Sequence, residues 1–205
     1  GPWVLNGDRF ISADDEIAKL KAEAERCSVD AIGECGIDNH WKYGTPEAQM
    51  ELFMKEAELA AELDLPLIIH SRDADKEMTE ALSSQSFRAS AVMHCFSSDA
   101  DMARFVLDKG LYVSFAGNVT YKGNDAIRRA AMIVPDDRIL IETDSPYLAP
   151  IPYRGKPCRP EYTETTLDFL AELRHQDRDE LKEAVIRNLF SFLKRNESIR
   201  KLRIS

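Results

Sequence analysis

Four side chains able to bind a divalent cation or move a proton, Glu34, His70, His94 and Asp144, each close a short apolar run. The clearest run covers residues 138–148, a buried strand ending in acid, with Pro146 forcing the chain out of it. Alternation places Leu140, Glu142 and Asp144 on one side and Ile139, Ile141 and Thr143 on the other. Carboxylates at the mouth of an apolar strand are costly to bury unless a metal or another cation meets them. The plain alternative is a cap, with Asp144 or Ser145 opening the next helix. Residues 30–38 repeat the design, with Ile32, Glu34, Gly36 and Asp38 on one face and Ala31, Gly33, Cys35 and Ile37 on the other. Glycines in a strand mark a place of close approach, and a strand-end salt bridge is the plain alternative for Glu34. Residues 65–73 form an apolar strand ending in His70, and in residues 90–97 Val92, His94 and Phe96 share a face. Taken singly, either histidine also fits a hydrogen-bonded core residue.

What must position these groups is a series of strands alternating with helices. Ser12 caps a helix that runs to about Arg26, and Pro46 opens one running from Glu47 to Leu63. In the latter, Leu52, Glu56, Leu59 and Leu63 fall near one face. A helix to about Leu82 follows the His70 strand. Asp99 or Ser98 then caps a helix to about Lys109, which Gly110 ends. A strand over 111–117, a helix over 124–133, and two helices near 162–175 and 179–195 complete the chain. Such alternation implies right-handed crossovers and a parallel sheet, whose strand carboxyl ends gather on one face. Two imidazoles and two carboxylates converging there suit Zn²⁺, Mn²⁺ or Mg²⁺. A metal in that setting activates bound water and polarises a phosphoryl or carbonyl oxygen.

With 205 residues, 44% of them hydrophobic, residues 1–205 are read as one domain with a substantial core. A net charge of −9 argues against a protein that coats nucleic acid through a broad basic face, but not against an enzyme that grips one phosphate. The four cysteines show no C-x-x-C and no framework spacing, which suits a reducing cytoplasm. No apolar run approaches the ~18 residues of a membrane span, and the start lacks a signal-peptide pattern.

The runs Gly33-Glu34-Cys35-Gly36-Ile37-Asp38, Ile69-His70-Ser71-Arg72-Asp73-Ala74, His94-Cys95-Phe96-Ser97, Glu142-Thr143-Asp144-Ser145-Pro146-Tyr147-Leu148 and Arg154-Gly155-Lys156 together resemble the TatD-type metal-dependent deoxyribonucleases. The resemblance implies an amidohydrolase-like (β/α)8 TIM-barrel fold and two divalent ions, Mg, Mn or Zn. It further implies hydrolysis of phosphodiester bonds in DNA, exonucleolytic in the 3′-to-5′ direction, with the substrate single-stranded or at ends and no membrane partner. It assigns His70 and His94 to one metal, Glu34 to both, and Asp144 to the other. Asp144 and Glu34 would then be catalytic, with Asp144 helping to activate water; Arg72 and Arg154 are expected to contact phosphate. Other readings are a barrel hydrolase of a small phosphoester or an amide, and a non-catalytic metal- or partner-binding remnant. Departures fall at Ser98 and Cys158, where the family has Gly and Asn. They also fall at the front, where the family's His-x-His strand has no counterpart and the first histidine is His40. Five strands are read where the barrel has eight. The expectation is therefore a barrel lacking its first three strands, which self-associates through exposed edges, holds about one tight ion and has little nuclease activity on its own.

Overall fold

The computed structural model describes residues 5–6, 9–10, 12–41 and 44–193, in two compact units, Gly1–Val92 and Met93–Ser205. Each unit carries parallel strands paired in chain order. None of the described helices is long and apolar enough to cross a membrane.

In the first unit, β1 (Leu5–Asn6) and β2 (Arg9–Phe10) pair antiparallel. Helix α1 (Ala13–Arg26) opens at Ser12, whose hydroxyl accepts the Asp15 N–H at 3.4 Å. Strand β3 (Ile32–Asp38) then pairs in parallel with β4 (Leu67–Arg72), with helix α2 (Pro46–Glu62) between them in sequence. Leu52, Phe53, Ala57, Leu59 and Ala60 of α2 are buried, and the helix packs on β3. Helix α3 (Asp75–Ser83) buries Met78, Ala81 and Leu82, and leads to β5 (Ala91–Met93).

The same α2 face carries Glu56, 4% exposed, and burial pushes its carboxyl from the ordinary 4.5 up to about 8. Between those two values the unfolded chain ionises Glu56 while the folded chain keeps the proton. Stability is therefore lost as pH rises from about 4.5 to about 8. Glu56→Gln, neutral at every pH, should melt higher than wild type in the alkaline range, with the gap closing toward pH 4. Parallel melting-versus-pH curves would show this carboxyl to be ionised in the fold.

In the second unit, helix α4 (Ala100–Asp108) is capped by Asp99, whose Oδ1 accepts the N–H groups of Asp101 and Met102 at 2.9 and 3.0 Å. Gly110, at φ +75°, ends it. Strand β6 (Tyr112–Phe115) is buried on both faces, as parallel strands under helices are. It pairs in parallel with β7 (Ile139–Ile141), across helix α5 (Asp125–Ile133). Helices α6 (Thr163–Leu173) and α7 (Arg178–Phe192) finish the unit. The buried Asn188 of α7 donates to the carbonyls of Asp136 and Ile139, each at 2.8 Å, tying the helix to β7. The extension of this last helix to residue 195 lies outside the described residues.

Three details differ from the sequence reading. Strand β4 runs past His70 to Arg72, so His70 lies within the strand rather than at its carboxyl end. Strand β7 stops at Ile141, with the Glu142 N–H making the last ladder bond, to the Phe115 carbonyl at 3.1 Å; Asp144 lies beyond the ladder, and strand alternation does not set its direction. In β3 the register shifts: Gly33 faces Ile68 and Cys35 faces Ile69, leaving Glu34 as one extra residue in a bulge. Glu34 is therefore the third residue of β3 rather than its carboxyl end, which is Asp38.

Candidate functional site

The bulge re-aims the strand that carries Glu34. Past it, Gly36 pairs with His70 and Asp38 with Arg72, so Asp38 shares its face with His70. Cys35 and Ile37 turn the other way and are fully buried. Gly36, at φ +133°, lies so close to β4 that a Cβ there would stand 2.0 Å from the His70 carbonyl oxygen. Glu34 is exposed and His70 half-buried.

Asp38 is the residue the sequence reading missed as a participant. It is 2% exposed, and its Oδ2 lies 3.0 Å from His70 Nε2. Its Oδ1 accepts the backbone N–H groups of His40 and Trp41, each at 2.9 Å. The available signal was its place two residues beyond Gly36 on one face. The bulge that makes this face meet His70 is not visible in the residue pattern. Arg72, at the end of β4, is exposed, with its guanidinium carbon 5.7 Å from the centre of the exposed Trp41 ring.

In the second unit His94 follows β5 directly and is buried. Its Nδ1 lies 3.8 Å from Glu142 Oε1, and the same oxygen accepts the Cys95 N–H. Burial raises the pKa of Glu142; His94 and the Cys95 N–H act in the opposite direction. Asp144, half-buried, stands in the turn after β7, where its carbonyl accepts the Tyr147 N–H at 2.6 Å. No helix cap is made there, since the next helical turn begins only at Pro160.

The loop that follows is fixed against the end of β6. Gly117 passes so near it that a Cβ would meet the Leu148 carbonyl at 2.3 Å. Thr120 Oγ1 accepts the Ile151 N–H at 2.9 Å, and the Tyr121 hydroxyl donates to the Ala149 carbonyl at 2.9 Å. Arg154 is exposed, with its guanidinium carbon 4.3 Å from the centre of the Tyr121 ring. Cys158 is buried, and its N–H donates to the Pro146 carbonyl at 2.9 Å.

Parallel strands alternating with helices, with imidazoles and carboxylates on and just after the strands, define a TIM-barrel-type protein of the metal-dependent hydrolase class. The TatD related DNase family matches residues 2–194, and the chain belongs to that family. It is 35% identical over 182 residues to the uncharacterized metal-dependent hydrolase YabD of Bacillus subtilis, covering 88% of this chain and 71% of that protein. It is 37% identical over 175 residues to the uncharacterized metal-dependent hydrolase YcfH of Escherichia coli, covering 85% and 65%. The crystal structure of YJJV, a TatD homologue from Escherichia coli, superposes with a TM-score of 0.81 at 28% identity, over 89% of this chain and 71% of that one. The chain thus spans about two thirds of the length of these relatives.

Proposed function

We propose that this chain carries most of the site of a divalent-metal-dependent phosphodiesterase acting on DNA, at single-stranded regions or ends, as an exonuclease. The observation that carries the metal part is the donor chemistry: Glu34 and His70 in the first unit and His94 in the second are a carboxylate and two imidazoles, each offering a ligand atom of the kind a divalent ion takes. A carboxylate with two imidazoles fits Zn²⁺ or Mn²⁺ better than Mg²⁺, which prefers oxygen donors. Asp144 is proposed as the donor to a second ion. A bound ion there supplies Lewis-acid polarisation and a water of lowered pKa.

In this reading Glu34 holds the ion, and Asp144 takes the proton of the attacking water. Arg72 and Arg154 receive phosphate oxygens. Each guanidinium lies over an aromatic ring, an arrangement that leaves its N–H edge able to meet an anion. The DNA substrate is supported by the family's description and the metal dependence by the printed names of the relatives. The absence of disulfides among the four cysteines supports a cytoplasmic location.

The test is calorimetric titration of the chain with Mn²⁺ or Zn²⁺, followed by assays on single-stranded oligonucleotides and on a small phosphoester. His70→Ala and His94→Ala should each weaken the ion at least tenfold, or ~1.4 kcal/mol. The double variant should lose less than the sum, because both act on one ion. Additive, independent losses would assign the histidines to separate structural roles. Cleavage of the small phosphoester alone would replace DNA as the substrate.

A further inference from the structure

We infer that Asp38 is a positioning residue for His70: its carboxylate holds the imidazole in the Nε2–H form and so presents Nδ1 as the ligand nitrogen. The inference rests on the reading of His70 as a metal ligand.

A carboxylate only accepts hydrogen bonds, so the ring nitrogen facing it must donate. His70 Nε2 stands 3.0 Å from Asp38 Oδ2 and is therefore the donor. In a neutral ring the lone pair is then on Nδ1. The carboxylate cannot easily swing away from this contact. Its other oxygen accepts the two backbone N–H groups of His40 and Trp41, at 2.9 Å each. Its backbone is held as well: the Asp38 N–H donates to Gln49 Oε1 at 2.8 Å, and Gln49 Nε2 donates to the Asp38 carbonyl at 3.1 Å. Gln49 is itself 1% exposed. Buried acceptors satisfied this fully act as a fixed template, and such partners of metal-binding histidines set tautomer and ring orientation. The Glu142 carboxylate does not hold His94 in this way. The His94 Nδ1 is 3.8 Å from Glu142 Oε1, beyond hydrogen-bond range, and that oxygen already takes the Cys95 N–H.

Asp38→Asn isolates the effect. The amide oxygen must stay toward His40 and Trp41, whose N–H groups need an acceptor, so the NH₂ group turns to His70. Two donors cannot face each other, and the ring should move its proton to Nδ1. Long-range ¹H–¹⁵N correlation of the metal-free protein reads this directly, with the His70 ring identified by its loss in His70→Ala and the tautomer read at the alkaline end of a pH series. Wild type should show Nε2–H and Asp38→Asn should show Nδ1–H. Titration with Mn²⁺ or Zn²⁺ alone should weaken by about 10- to 100-fold in the variant, with its melting midpoint near that of wild type. An Nδ1–H ring in the wild type would overturn the inference, and that spectrum needs no variant. Nε2–H retained in Asp38→Asn, or full ion affinity despite a reversed tautomer, would overturn it too. A wild type with the Nε2–H ring that binds no ion would instead remove His70 from the ligands. The proposed function would then fall, while Asp38 would still be shown to fix the ring.

Discussion

Asp144→Asn is expected to lower hydrolysis by about 10²- to 10⁴-fold, the range that a positioned general base contributes. The carboxylate is assigned two tasks, donating charge to an ion and taking a proton from water, and an amide does neither well. The fold should hardly notice. Asp144 lies past the end of β7, half-buried, and its recorded tie to the turn is a backbone carbonyl that accepts the Tyr147 N–H. Asparagine keeps that bond. Initial rates on an oligonucleotide at saturating Mn²⁺, paired with melting curves, separate the two effects. Wild-type turnover in the variant would take Asp144 out of the chemistry, and a collapsed melting midpoint would give it a structural role.

The second large effect is on stability, from Gly36→Ala. A methyl group at position 36 would stand 2.0 Å from the His70 carbonyl oxygen and 2.9 Å from its carbon, both backbone atoms of the paired strand. Relief requires β3 and β4 to part where they are hydrogen-bonded. The backbone angle of +133° is also one that alanine rarely adopts. Overpacking and a forced backbone conformation together should cost roughly 3–5 kcal/mol, much of a typical domain's stability. Gly110→Ala is the control: it too has positive φ, but open space surrounds the added methyl. Its cost should stay near ~1–2 kcal/mol, the penalty of the left-handed backbone alone. Urea midpoints for the two variants at unchanged slope would measure the difference. Equal losses would mean that the strands can shift apart without cost.

How much of this was legible in the residues depends on the range of the interaction involved. Caps and breaks are local chemistry, and Ser12, Pro46, Asp99 and Gly110 all mark helix ends as the sequence indicates. The parallel β/α order was equally legible, because burial on both faces writes continuous apolar runs such as that of β6. Strand-end residues were less so. Alternation assigned Glu34 to the face of Gly36 and Asp38, but one extra residue in β3 breaks that count. A bulge depends on the register of the neighbouring strand, which residue types within β3 do not encode. Asp38 was missed for the same reason, since its meaning lies in contacts with His70, His40 and Trp41. Glu56 was seen on the buried face of its helix, but that its buried Oε2 has no hydrogen-bond partner among the described residues emerges only from the packing.

The extra residue in β3 sets two selective demands against each other. A strand shaped for pairing alone would omit position 34, and the ladder from Ile32 to Asp38 would run without a shift. Keeping the residue interrupts that ladder and retains a charged, exposed side chain in the strand. On the role proposed for Glu34, lineages that no longer need the carboxylate are expected to gain a more regular sheet by deleting one codon. A single-residue gap at this point in a relative would therefore be a mark of lost chemistry, legible without any structure of that relative.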